Sequence, residues 1–91
     1  MIPIDHISDI ELKKRLDDAH KRIDVGAKYY HYKNPDQYYH IVTIALIEDT
    51  ETPAVVYRAE YGEKFTWIRP IDNFLAEIEH DGKMISRFSK T

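Results

Sequence analysis

The sequence predicts a mainly β domain, a small antiparallel barrel or roll of five or six strands, with one amphipathic α-helix at its N-terminal side. Three observations predict it. Apolar residues recur at helical spacing before Gly26 and in strand-like runs after it. Turn chemistry separates the later runs at short intervals: Asn34, Pro35 and Asp36, then Gly62, then Asp81 with Gly82. Finally, a chain of 91 residues builds one core and not two, so a helix within residues 1–25 must pack on the barrel that residues 26–91 form.

The helix has its start written into the chain. Ser8 and Glu11 form an S-x-x-E capping box, with Ile7 and Leu12 placed as a hydrophobic staple. Leu12, Leu16, Ala19 and Ile23 make one narrow apolar stripe, and the charged residues fall elsewhere. The helix is expected to stop before Gly26, which tolerates the left-handed conformation of a helix end. Its stripe covers the barrel or, in a second reading, pairs two copies as a homodimer.

Strands follow in order. Lys28–Tyr32 is a short aromatic strand, and Tyr38–Ile47 is the longest β-rich run, apolar on both faces and therefore central. Ala54–Tyr61 and Phe65–Arg69 flank a turn at Gly62, and Pro70, which cannot donate to a ladder, ends the second of them. Ile71–Leu75 reads as a single helical turn. Ala76–Phe88 reads as a closing hairpin around Asp81-Gly82, a pair suited to a type I′ turn.

Strand alternation sorts the cluster between Val55 and Pro70. Val55, Tyr57 and Ala59 are expected inward, together with Ile68 on the next strand. Trp67 and Arg69 then share the opposite side from Ile68, an aromatic ring beside a guanidinium at the surface. The competing reading makes Trp67 a core plug, with Arg58 and Arg69 paired to carboxylates. A β-bulge would reverse such faces.

Composition narrows the chemistry. Thirteen Lys and Arg against sixteen Asp and Glu, interspersed, lack the basic excess typical of nucleic-acid modules. There is no cysteine, hence no disulfide or thiolate chemistry. No long apolar run or signal-peptide pattern is present, so a cytoplasmic location is expected. The five histidines show no H-x-H or H-E-x-x-H spacing, and no phosphate-loop, dinucleotide or nucleophile-elbow motif occurs. No metal, no cofactor and no catalytic residue is therefore expected. His31 could reach Asp49 or Glu51 only through folding, and His40 reads as structural.

Four ordered segments, GAKYYHYKNPDQYYHIV, TETPAVVYRAEYG, TWIRPIDNF and DGKMISRF, resemble the bacterial uncharacterised DUF1653 family over Gly26 to Phe88. The resemblance rests on Tyr29, His31, Tyr32 and Lys33, on Val56, Tyr57 and Arg58, on Trp67 to Pro70, and on Arg87 with Phe88. It implies an SH3-like barrel and no established activity. The chain departs from the family pattern at Leu46–Thr50, where similar proteins often carry Arg-His-Ser-Glu-Thr.

A binding module is the expected function, with Tyr32, Arg58, Tyr61, Trp67, Arg69 and Arg87 as candidate site residues. The first reading is an aromatic and arginine groove that engages a protein or peptide. The second is a nucleotide or single-stranded nucleic acid, stacked on rings while Lys28, Lys33 and the arginines meet phosphates. The third is an accessory or dimerisation domain whose rings are all core.

Overall fold

The computed structural model describes residues 8–91. The first element is α1 (Asp9–His20), capped by Ser8, whose side-chain oxygen accepts the Glu11 N–H at 3.2 Å. Ile7, the expected staple residue, lies outside the described residues. The helix ends earlier than expected. Arg22 and Ile23 both donate to the Ala19 carbonyl, closing a terminal turn. Gly26 does take a positive φ of 90°, but its N–H goes to the Ile41 carbonyl at 2.9 Å, so it feeds the chain into the sheet and caps nothing.

Seven strands follow: β1 (Lys28–His31), β2 (Tyr38–Ile47), β3 (Thr52–Ala59), β4 (Thr66–Pro70), β5 (Glu77–His80), β6 (Lys83–Ser86) and β7 (Phe88–Lys90), with the short helix α2 (Ile71–Phe74) after β4. Five of them form one antiparallel sheet in the order β4-β3-β2-β1-β7, and β5 pairs with β6 alone. The fold is mainly β and takes the open, rolled form: β4 and β7 are its edges, and no barrel closes. Its strand count exceeds the expected five or six because the closing hairpin divides. Arg87 leaves the hairpin by donating its N–H to Ala76 and accepting the Tyr32 N–H, and β7 then joins β1. The hairpin turn itself is as expected, with Asp81 and Gly82 both at positive φ.

Between Ile41 and Thr43 the β2–β3 register shifts by one residue, a bulge at Val42. Tyr39 and Ile41 face inward before it, and Ile44 faces inward after it, opposite Tyr57 and Val55 of β3. On this inner face α1 contributes Ala19, the turn after it contributes Ile23, and α2 contributes Ile71 and Phe74. Phe74 is fully buried and stacks on Phe88 with centroids 4.1 Å apart and planes 4° from parallel. Of the apolar stripe, Ala19 and Ile23 are thus buried within the chain and Leu16 packs against them, while Leu12 is half-buried and stands outside this core.

One face assignment is corrected. Val55, Tyr57 and Ala59 are buried as expected, but Ile68 is 67% exposed. It pairs with Val56 on the outer face, whereas Trp67 pairs with Tyr57 and Arg69 with Val55 on the inner one. Trp67 and Arg69 do share a side away from Ile68, and that side is the core side. Trp67 nevertheless remains 51% exposed and stands outside the core cluster. No helix among the described residues is long and apolar enough to cross a membrane.

Candidate functional site

The uncovered end of the inner face forms a cleft of about 320 Å³. Tyr39 and Tyr57 make its floor, edge to face at 5.3 Å, and each also meets the Phe88 ring. Strand alternation puts them there: Tyr39 sits two residues from Ile41 in β2, and Tyr57 two residues from Val55 in β3. Trp67, braced edge-on by Phe65, forms one wall.

Arg69 is the central cation. Its Nε donates to the Tyr57 hydroxyl at 3.3 Å, one terminal nitrogen donates to Asn73 Oδ1 at 2.6 Å, and its guanidinium carbon lies 5.3 Å from the Phe88 ring centre. The local sequence explains this hold. Pro70 ends β4, and the turn of α2 returns Asn73 beside Arg69. A guanidinium fixed by two acceptors and an aromatic platform is preorganised for an anion.

His31 faces Arg69 across the cleft. Its ring stands edge-on to Phe88 at 5.0 Å, and its Nδ1 accepts the Lys33 backbone N–H at 3.2 Å. The neutral imidazole therefore carries its proton on Nε2. Burial holds the His31 pKa below its ordinary value, with the positive charges of Arg69, Lys33 and Arg87 adding to the effect. At the rim the Tyr39 and Tyr61 hydroxyls share a hydrogen bond. Burial first, and that bond second, push the Tyr39 phenol well above its ordinary range, so it stays protonated.

The lining residues include Arg69, Lys33 and His31 and no carboxylate. A hollow of about 250 Å³ between α1 and α2 differs in this respect, since Arg22 there is already paired with Asp72 at 3.0 Å. No group of three or more metal-binding side chains gathers among the described residues.

The expected site residues divide. Trp67 and Arg69 line the cleft, and Tyr61 reaches it through Tyr39. Arg87 braces α2, donating from Nε to the Asn73 carbonyl at 3.1 Å. Tyr32 lies behind His31, between that ring and His80. Arg58 is outside the cleft: it pairs with His40 and Thr66 on the outer face, as its place between the inward Tyr57 and Ala59 predicts, whereas Trp67 and Arg69 lie on the inner face. Sequence reasoning did not single out Tyr39, Asn34 or Asn73 for the site. Tyr39 was findable from its spacing to Ile41, whereas Asn73 becomes visible only once α2 is placed.

The family model for a protein of unknown function, DUF1653, matches residues 27–90. The chain belongs to the DUF1653 family. The DUF1653 match takes in all seven strands and every residue of the cleft, and leaves α1 outside. No curated protein and no solved structure matches the chain.

Proposed function

We propose that this DUF1653 protein is a binding module whose cleft receives an acidic segment of a partner protein. The observation that carries the reading is the lining itself: aromatic rings with Arg69, Lys33 and His31, and no carboxylate. An incoming carboxylate meets a guanidinium already held by Tyr57 and Asn73, so little ordering of Arg69 accompanies binding. The volume sits at the small end of ligand pockets, about 300 to 1,000 Å³, and suits one or two side chains of a peptide. Half-exposed Trp67 and 60%-exposed Phe65 weigh against a purely accessory domain with all rings in its core.

A second reading has its own observation. The exposed Trp67 indole beside two cations also suits a nucleotide, with the base stacked on the ring at about 1 to 3 kcal/mol.

Trp67 is the single tryptophan, so its fluorescence reports on the cleft directly. Titration with an acidic peptide, a basic peptide of the same length and a mononucleotide separates the readings. Saturable change with the acidic peptide alone, lost in Arg69→Gln, supports the proposal. Response to the mononucleotide alone transfers the site to the second reading, and no response to any of the three refutes both.

A further inference from the structure

The free edge of β4 adjoins the cleft, and its backbone is arranged to accept another strand. Ala59 donates its N–H to the Phe65 carbonyl at 3.0 Å, and Tyr57 and Val55 pair with Trp67 and Arg69. In an antiparallel ladder of that phase, Phe65, Trp67 and Arg69 direct their backbone groups at β3, and Thr66 and Ile68 direct theirs outward. No strand among the described residues pairs with that edge. Edges are usually blunted by charge, proline or a cover. Here Thr66 and Ile68 are uncharged, and Pro70, the next outward position, has no N–H and limits the open stretch to those two residues; Phe65, Trp67 and Ile68 are 60%, 51% and 67% exposed.

We infer that the partner segment binds as a sixth strand, antiparallel to β4, and that this register sets its sequence. The inference rests on the acidic-segment reading of the cleft. Residues of an added strand opposite Phe65, Trp67 and Arg69 point to the inner face. The one opposite Trp67 occupies the narrow, non-hydrogen-bonded position, where side chains come closest. Running antiparallel, the segment reads from its N-terminal side as acidic, any residue, apolar, any residue, apolar: the carboxylate meets Arg69, and the apolar pair covers Trp67 and Phe65. The intervening residues lie beside Ile68 and Thr66 on the outer face. A second copy fits less well. The stretch Phe65–Pro70 contains no carboxylate, so pairing β4 with itself brings no anion to Arg69 and adds a cation to a cleft that already holds two, Arg69 and Lys33.

The test is amide NMR of the full chain titrated with a blocked peptide, Ser-Glu-Val-Leu-Thr-Val-Ser. Its partner is the same peptide with an ester in place of the amide N–H of the first valine, the group that would donate to the Ile68 carbonyl. Strand addition requires that the Thr66 and Ile68 amides shift and exchange more slowly on binding, and that the ester bind about tenfold more weakly. If His31 and Arg69 signals move while Thr66 and Ile68 exchange unchanged and the ester binds equally, strand addition is overturned and the cleft reading survives. If neither peptide moves any cleft signal, although a plain poly-glutamate peptide does, strand addition again falls alone; silence with all three removes both. Concentration-dependent protection of Thr66 and Ile68 without peptide assigns the edge to a second copy and overturns the inference.

Discussion

Replacing Phe74 with alanine tests how the core supports the cleft. The ring is fully buried, stacked on Phe88 and met by the edges of Tyr29 at 5.6 Å and Tyr57 at 5.3 Å. Losing its burial costs about 1.5 to 3 kcal/mol, and a void of about 100 Å³ at about 24 cal/mol per Å³ adds about 2.4 if nothing relaxes. The sum, about 4 to 5 kcal/mol, is a large part of the total stability of about 5 to 14 kcal/mol that roughly 0.05 to 0.15 kcal/mol per residue gives for 91 residues. Urea unfolding followed by far-ultraviolet circular dichroism reads it out. With a slope of about 1 kcal/mol per molar, the midpoint falls by about 4 M. Phe74→Leu leaves a smaller void and loses about 1 to 1.5 kcal/mol. The cleft responds as well, because Phe88, the platform under Arg69, loses its stacking partner. A midpoint drop below about 1.5 M for the alanine variant would refute the central role given to this ring.

Other outcomes follow from single features. The His31 ring titrates below its ordinary 6.5, and Arg69→Gln moves its midpoint upward in an NMR pH series. Since the unfolded chain takes up that proton first, folding stability from this group is intact above 6.5 and lost as pH falls through the lowered midpoint; His31→Gln flattens that acid slope. Gly82→Ala, at φ +78° with no atom within 4 Å of the added Cβ, costs backbone strain alone, about 1 kcal/mol or about 4 to 8 °C in a thermal melt. Ser8→Ala removes the α1 cap and costs about 1 kcal/mol, measurable by the same melt.

Local signals in the chain carried much of the fold. The Ser8 cap, the full span of β2, the Pro70 stop, the α2 turn and the Asp81-Gly82 hairpin each depend on a few neighbouring residues, and each appears in the structure. What stayed hidden depends on distant pairing. β7 exists because Phe88–Lys90 finds β1 across the whole domain, and nothing local marks Arg87 as the point of departure. The face of β4 was misread for a related reason. An isolated strand with Ile68 between Trp67 and Arg69 looks best with the aliphatic residue inside, whereas cross-strand pairing to Val56 turns it out. Arg58 parts from Arg69 for the same reason: its own phase on β3 correctly predicts the outer face, and only the inverted face of β4 put Trp67 and Arg69 beside it.

The bulge at Val42 has a consequence for which changes the chain can tolerate. Tyr39, on one side of it, belongs to the cleft; Ile44, on the other, belongs to the core that α1 covers. The two differ by an odd number of positions, so unbroken alternation would place them on opposite faces. Deleting Val42 would therefore force a choice: a sheet that keeps its helix dock and turns the tyrosine floor to the far side, or one that keeps the floor and sheds the helix. One unpaired residue lets a single surface hold both its anchor and its opening, and a length change within β2 is far more disruptive than one in the Lys33–Gln37 turn.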